Sequence, residues 1–165
     1  MSQGATILQK ARITWINFEG FITRVLLIML VAIVFMEVIL RSIFNAPTTW
    51  SVGVAQLIFI WVVFLGANRA LRENAHVGID ALTNLLPRKL QAYLEIVAQT
   101  FILVFLIGMV YYGFSMTFSN TGRIISGTSI SYHYITLAIP AGGLLMSITA
   151  CAKLMRLIKN VSKNE

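Results

Sequence analysis

WVVFLGANRALRENAHVGIDALTNLLP, residues 61–87, is the stretch of sequence on which the fold depends. It begins as the end of a wholly apolar segment, becomes charged and amphipathic at Arg69, and stops at Pro87. Two long apolar segments precede this change and two follow it. If those segments cross a membrane, the side on which this stretch lies sets the orientation of all of them.

The composition is that of an integral membrane protein. Of the 165 residues, 58% are hydrophobic and 12% are charged, and the mean hydropathy is +0.80. These values lie far outside the range of a soluble domain. In hydrocarbon each segment must satisfy its own backbone hydrogen bonds, and the apolar runs lack the alternation of barrel strands. We therefore predict an all-α fold, formed by a single membrane domain over residues 1–165.

Four apolar runs are long enough to cross a bilayer, which takes about 20 helical residues. They predict transmembrane helices over about residues 21–44, 52–68, 90–118 and 131–152. Over residues 70–87, apolar side chains recur every three or four positions, which predicts a short amphipathic helix in the membrane interface. A similar mixture over residues 2–20 favours a further amphipathic helix at the N-terminus.

The basic residues are distributed unevenly between the two sides of these spans. Eleven of the 13 lysines and arginines lie towards one side of the spans, in the N-terminal segment, the central stretch or the C-terminal tail, whereas Arg41 and Arg123 lie towards the other side. The positive-inside rule places both termini and the central stretch in the cytoplasm. The net charge of +7 is then an orientation signal, and we expect membrane lipids, and no nucleic acid, as partners.

Glu37 is an acidic residue within the first predicted span. Such a residue is a candidate functional residue by default. Arg41 follows one helical turn later, so the two side chains are placed to neutralise each other near the interface. We favour this structural pair and leave open a role of Glu37 in transport or in subunit contact.

Four further residues are candidates for structural or subunit contacts. Trp50 is placed to anchor the start of the second span at the headgroups. Gln56 is expected to hydrogen-bond to a neighbouring helix, and Gly66, four residues before Ala70, permits close helix contact. Arg72 sits where the second span emerges into the headgroups.

His76 and Asp80 are one turn apart, a spacing that suits a metal or a proton relay. Two ligands do not make a metal site, and the other histidine, His133, is expected on the opposite side of the membrane. We interpret the pair as a cap, headgroup or subunit contact, and we expect no metal, no haem and no other cofactor. The sequence also lacks a nucleophile with a base and a glycine-rich phosphate loop, so we expect neither an enzyme nor a substrate-binding residue.

The order and spacing of several of these residues resemble the small membrane subunit of tripartite ATP-independent periplasmic (TRAP) transporters, the DctQ-like or Q component. The resemblance covers about residues 35–90. The residues that carry it are Arg41, Trp50, Phe64, Leu65, Gly66, Ala67, Arg72, His76, Val77, Asp80, Leu86 and Pro87. Family members often place acidic residues just after the tryptophan, where this chain has residues 51–54, SVGV.

The resemblance implies an accessory role in a bacterial inner-membrane transporter. Its partners would be a large multi-span membrane subunit, which holds the substrate and sodium sites, and a periplasmic substrate-binding protein. The small subunit would be a scaffold against which the large subunit moves its transport domain. Uptake would be driven by an ion gradient, and the substrate would be an organic acid such as a C4-dicarboxylate or sialic acid.

Two other classes of protein remain open at this point. The first is a small proton-coupled four-helix exporter with Glu37 as the exchanging carboxylate, which the strong charge bias and the neighbouring Arg41 disfavour. The second is a structural anchor for a redox or signalling complex. Loss of all activity in Glu37→Gln would indicate the exporter, and co-purification with a large membrane protein distinguishes a transporter scaffold from the structural anchor.

Overall fold

The structure, a computed structural model, describes residues 2–72 and 88–161. The described chain forms four α-helices that are long and apolar enough to cross a membrane, which confirms the predicted all-α, four-span class. They are α1 (Ser2–Ser42), α2 (Ser51–Arg72), α3 (Arg88–Ser119) and α4 (His133–Val161). Most of the amphipathic helix predicted over 70–87 lies outside the described residues.

Helix α1 contains 41 residues and is therefore about 60 Å long, twice the thickness of the hydrocarbon core. Residues 2–20 are helical and run into the first span without a break. No proline interrupts them. The helix ends at Ser42, and in the turn that follows Asn45 adopts a left-handed conformation, with φ of 49°, which asparagine tolerates better than most residues. The Ala46 N–H then donates to the Leu40 carbonyl at 3.0 Å.

Helix α2 (Ser51–Arg72) extends four residues beyond the predicted end of the second span, to the last residue described before the central stretch. These four residues, Arg69, Ala70, Leu71 and Arg72, all have high helix propensity, so nothing local ends the helix at Asn68. Leu71 is only 4% exposed and belongs to a cluster with Leu106 of α3 and Ala150 of α4. Burial of Leu71 thus extends the helix past the apolar run.

Helices α3 and α4 pack against each other along their lengths. Two glycines allow the close approach. A Cβ atom on Gly113 of α3 would lie 3.1 Å from Cδ of Pro140, and one on Gly143 of α4 would lie 2.8 Å from Cγ2 of Val110. Small residues at such crossings let helix backbones approach closely, which is how helices associate in lipid. Helix α4 continues through Pro140 to Val161.

The described chain divides into two compact units. The first comprises the described residues up to Gly66 together with Ile124–Ile130, and the second comprises the remainder. In the first unit the 124–130 loop is closed by a hydrogen bond from the Ile125 N–H to the Ile130 carbonyl at 2.9 Å. The second unit is built around the α3 and α4 pair.

Candidate functional site

Glu37 of α1 lies opposite the turn that leads into α2. Its carboxylate Oε2 accepts hydrogen bonds from the Ser51 hydroxyl at 2.7 Å, from the Thr48 N–H at 3.3 Å and from the Thr48 hydroxyl. Ser51 is the first residue of α2 and is 1% exposed. The positive end of a helix dipole favours a carboxylate at this position. Glu37 therefore joins the end of α1 to the start of α2.

The 124–130 loop packs on the same turn. Gly127 has φ of 73° and lies so close to the Thr49 carbonyl that a Cβ atom would clash with it. A Cβ atom on Gly53, in the first turn of α2, would clash with the side chain of Ile125. Ile125 is 3% exposed, which makes it part of the core of this unit. Glycine at both positions lets the loop close over the turn.

Of the other sequence-predicted residues of the first unit, three are exposed and one, Gly66, is partly buried. Arg41 is exposed on the last turn of α1, and Trp50 is exposed just before α2. Gln56 is exposed on α2. Gly66 has no atom within 4 Å of an added Cβ, so the described chain makes no close helix contact there. The structure thus brings Glu37 together with Thr48 and Ser51.

The remaining candidates belong to the central stretch. Arg72 is the last residue of α2 and is partly buried. His76 and Asp80 lie outside the described residues, so their interpretation as a contact pair stays a prediction.

Two buried amide side chains, to which the sequence analysis assigned no role, tie the helices of the second unit together. Asn68 of α2 is 1% exposed and accepts a hydrogen bond from the Thr149 hydroxyl of α4 at 2.9 Å. Gln99 of α3 is 2% exposed and donates to the Ala150 carbonyl of α4 at 3.3 Å. Such amides in an apolar span are a sequence signal for interhelical hydrogen bonds, but their partners cannot be read from the sequence.

The link between α2 and α4 is expected to contribute measurably to stability. In a double-mutant cycle with Asn68→Leu and Thr149→Val, we expect a coupling free energy of about 0.6 kcal/mol and at most about 1.7 kcal/mol. The measurement is unfolding in mixed detergent micelles. Thr100 is the matched control, because its hydroxyl bonds to the Ile96 carbonyl of its own helix. Asn68→Leu combined with Thr100→Val should be additive, and equal coupling in both cycles would contradict the assignment.

These polar groups are arranged to hold helices together. The carboxylate of Glu37, the amides of Asn68 and Gln99 and the hydroxyl of Thr149 each bond to another part of the chain. Within residues 2–72 and 88–161, no three histidine, cysteine or acidic side chains come together as metal ligands. The chemistry of the described site is therefore interhelical hydrogen bonding.

Comparison with known proteins identifies the family. Residues 30–160 match the family model described as tripartite ATP-independent periplasmic transporters, DctQ component. The chain is 26% identical over 143 residues to the sialic acid TRAP transporter small permease protein SiaQ of Vibrio cholerae, covering 87% of this chain and 83% of that one. It is 31% identical over 131 residues to the sialic acid TRAP transporter permease protein SiaT of Haemophilus influenzae, covering 79% of this chain and 21% of that one.

The name of a third relative gives a different substrate. The chain is 29% identical over 89 residues to the C4-dicarboxylate TRAP transporter small permease protein DctQ of Vibrio cholerae, covering 54% of this chain and 38% of that one. The chain thus spans about a fifth of the SiaT relative and most of the SiaQ relative. Because the family model covers most of its residues, the chain belongs to the DctQ component family of the tripartite ATP-independent periplasmic transporters, whose members are transporter subunits and not enzymes.

Proposed function

We propose that this chain is the small permease subunit of a TRAP transporter that takes up an organic acid, such as sialic acid or a C4-dicarboxylate. The names of the relatives support both substrate classes. The chain acts with a large multi-span membrane subunit and a periplasmic substrate-binding protein, and a sodium gradient drives uptake. Its own role is that of a scaffold for the large subunit.

One observation carries the scaffold role. Three strongly polar side chains within the spans, Glu37, Asn68 and Gln99, each bond to another part of the chain. A transporter that binds an anion and sodium in its own spans needs convergent polar groups or broken helices near the midplane. The described helices α1, α2, α3 and α4 are continuous. Substrate and ion sites are therefore assigned to the large subunit.

Four spanning helices and bacterial relatives make the chain a multi-pass protein of the bacterial inner membrane. We propose that both termini and the segment around residues 70–87 are cytoplasmic, as the bias of eleven basic residues to two supports. We propose that four residues of α1, α2 and the turn between them contact another subunit. They are the exposed residues Arg41, Trp50 and Gln56, together with Gly66, which has open space beside it. We also propose structural or contact roles for Arg72 and for two residues that follow it in the sequence, His76 and Asp80.

Reconstitution tests the function directly. We expect proteoliposomes that contain this chain alone to show no sodium-driven uptake of labelled sialic acid or of a labelled C4-dicarboxylate. Proteoliposomes that also contain the large subunit, supplied with the binding protein, should take up one of them. Uptake by the chain alone would contradict the scaffold role, and failure of the complete system with both substrate classes would contradict the substrate assignment.

Substitutions at Glu37 distinguish a scaffold from a proton-coupled exporter. Glu37→Gln keeps an oxygen that accepts from Thr48 and Ser51 but removes the proton-exchanging group, so a scaffold should retain most uptake in the complete complex. Glu37→Leu removes the acceptor and leaves the buried Ser51 hydroxyl without it, so this variant should assemble poorly. Complete loss of transport in a Glu37→Gln complex that is fully assembled would favour carboxylate chemistry instead.

A further inference from the structure

Tyr111 and Tyr112 lie side by side on the outer surface of α3. Each side chain is 73% exposed, and the two rings contact each other edge to face, with their centroids 5.4 Å apart. Within residues 2–72 and 88–161, neither phenolic hydroxyl makes a hydrogen bond. A tyrosine hydroxyl both donates and accepts, and where water is excluded it usually has a partner. The described chain does not supply that partner to either group.

The contact with α4 places these two tyrosines near the middle of the membrane. No charged side chain lies on α4 between His133 and Lys153, and the 20 residues from one to the other span about 30 Å, the thickness of the hydrocarbon core. Gly143 is midway along this stretch, and a Cβ atom there would lie 2.8 Å from Cγ2 of Val110 on α3. The two tyrosines follow Val110 directly, so their backbone lies within about 5 Å of the midplane.

The direction of the side chains keeps the hydroxyls away from the nearer headgroups. In an α-helix each Cα–Cβ bond tilts toward the N-terminus of the helix. The nearer end of α3 is its C-terminus at Ser119, so the tilt carries both phenol rings away from that surface. Half of the hydrocarbon core is about 15 Å thick, which a tyrosine side chain cannot span. Because lipid tails offer no hydrogen-bond acceptor, a purely lipid environment would leave both hydroxyls unbonded.

The surface beside the tyrosines also has room for another helix. Gly108 lies one helical turn before them, and a Cβ atom there would meet nothing within 4 Å. Large exposed side chains border this gap, with Phe105 on one side and Tyr111 and Tyr112 on the other. In lipid, helices associate through close packing at small residues and through interhelical hydrogen bonds. This surface of α3 offers a gap for the first and hydroxyl groups for the second.

We propose that this surface of α3 docks a transmembrane helix of the large subunit, which bonds to the hydroxyls of Tyr111 and Tyr112 and packs a side chain against Gly108. The inference rests on the proposed function, in which a large multi-span subunit binds this chain. Between Val97 and Phe118, every exposed polar side chain of α3 carries a hydroxyl group. A second copy of this surface would therefore offer only hydroxyls, whereas a different protein can present the stronger amide or carboxylate acceptors.

Association of the two subunits in proteoliposomes tests the proposal. The full chain and the large subunit carry different fluorescent labels, and energy transfer reports binding as the amount of large subunit is varied. Tyr111→Phe and Tyr112→Phe should each weaken association about threefold, and the double variant about eightfold. Gly108→Leu should weaken it about tenfold, because the new side chain fills the gap. Circular dichroism checks that every variant remains helical.

Tyr93→Phe is the matched control. Tyr93 is the first residue of the span Tyr93–Ser119 and is exposed, so its hydroxyl lies at the membrane surface, where water is available. This variant should associate with the large subunit as the unchanged chain does. Equal weakening by Tyr93→Phe and by the double variant would overturn the proposal.

The remaining outcomes separate this inference from the proposed function. If the large subunit binds the chain but the tyrosine double variant and Gly108→Leu bind it equally well, the docking surface is wrong and the scaffold role stands. Self-association of the chain that the double variant abolishes would assign the surface to a second copy and also overturn the proposal. Failure of the unchanged chain to bind the large subunit would contradict the proposed function and this inference together.

Discussion

Gly127→Ala is expected to destabilise the first unit by about 2 kcal/mol or more. Two effects combine at this position. The φ of 73° is a conformation that costs an L-residue roughly 1–2 kcal/mol. The new Cβ atom would also clash with the Thr49 carbonyl, and because a backbone atom cannot rotate away, the 124–130 loop or the turn before α2 must shift. That shift would disturb the packing of the Ile125 side chain, which is only 3% exposed.

Gly122→Ala is the control for this prediction. Gly122 lies in the same connection between α3 and α4, but a Cβ atom there meets nothing within 4 Å, and its φ is not in the left-handed range. Unfolding in mixed detergent micelles should show a loss of stability for Gly127→Ala and little change for Gly122→Ala. If Gly127→Ala unfolds as the unchanged chain does, the loop does not close over the turn as described.

Gly113→Leu is expected to have the second large effect, through the contact between α3 and α4. A Cβ atom at this position already lies 3.0 Å from Cγ2 of Ile139 and 3.2 Å from the backbone nitrogen of Pro140. A whole leucine side chain therefore has no space and must push the helices apart. Overpacking of this kind typically costs about 1–3 kcal/mol. The loss includes the close packing around Leu106 and Ala150, which are 2% and 0% exposed.

Gly108→Leu provides the matched comparison on the same helix. A Cβ atom at Gly108 meets nothing within 4 Å, so leucine there extends into open space on α3. Because leucine is a better helix former than glycine, this variant should be as stable as the unchanged chain or slightly more stable. The same unfolding measurement compares the two. Similar destabilisation by both substitutions would mean that Gly113 is not at a close helix crossing.

Residue patterns along the chain predicted the four membrane-spanning helices, but they did not predict the polar contacts across the turn before α2 or between α2 and α4. Glu37 illustrates the difference. Its spacing to Arg41 predicts a pair within one helix turn, and this pair stays a prediction. The structure shows that the carboxylate bonds to Thr48 and Ser51, 11 and 14 residues away, across the turn. Helix periodicity reports which residues share a face, but it does not report which turn folds back onto that face.

Asn68 and Thr149 show the same limit over a longer separation. They are 81 residues apart, and no local pattern connects them. Gln56, Asn68 and Gln99 are all amides in apolar surroundings, yet Gln56 is exposed while Asn68 and Gln99 are buried. Which amide is buried depends on how the helices rotate about their axes when they pack, and this rotation is a property of the bundle.

The sequence alone therefore determined the membrane class, the four spans and the charge asymmetry, and the order of residues 35–90 pointed to the family. Insertion of a span depends on the hydropathy of about 20 consecutive residues, so this information is local to each segment. Only the tertiary structure decided that Glu37 joins α1 to the turn before α2, that the loop at Gly127 packs against Thr49, and that Asn68 bonds to Thr149 of α4. Those contacts depend on which helix faces meet, because in lipid helices associate through close packing and specific hydrogen bonds rather than through hydrophobicity.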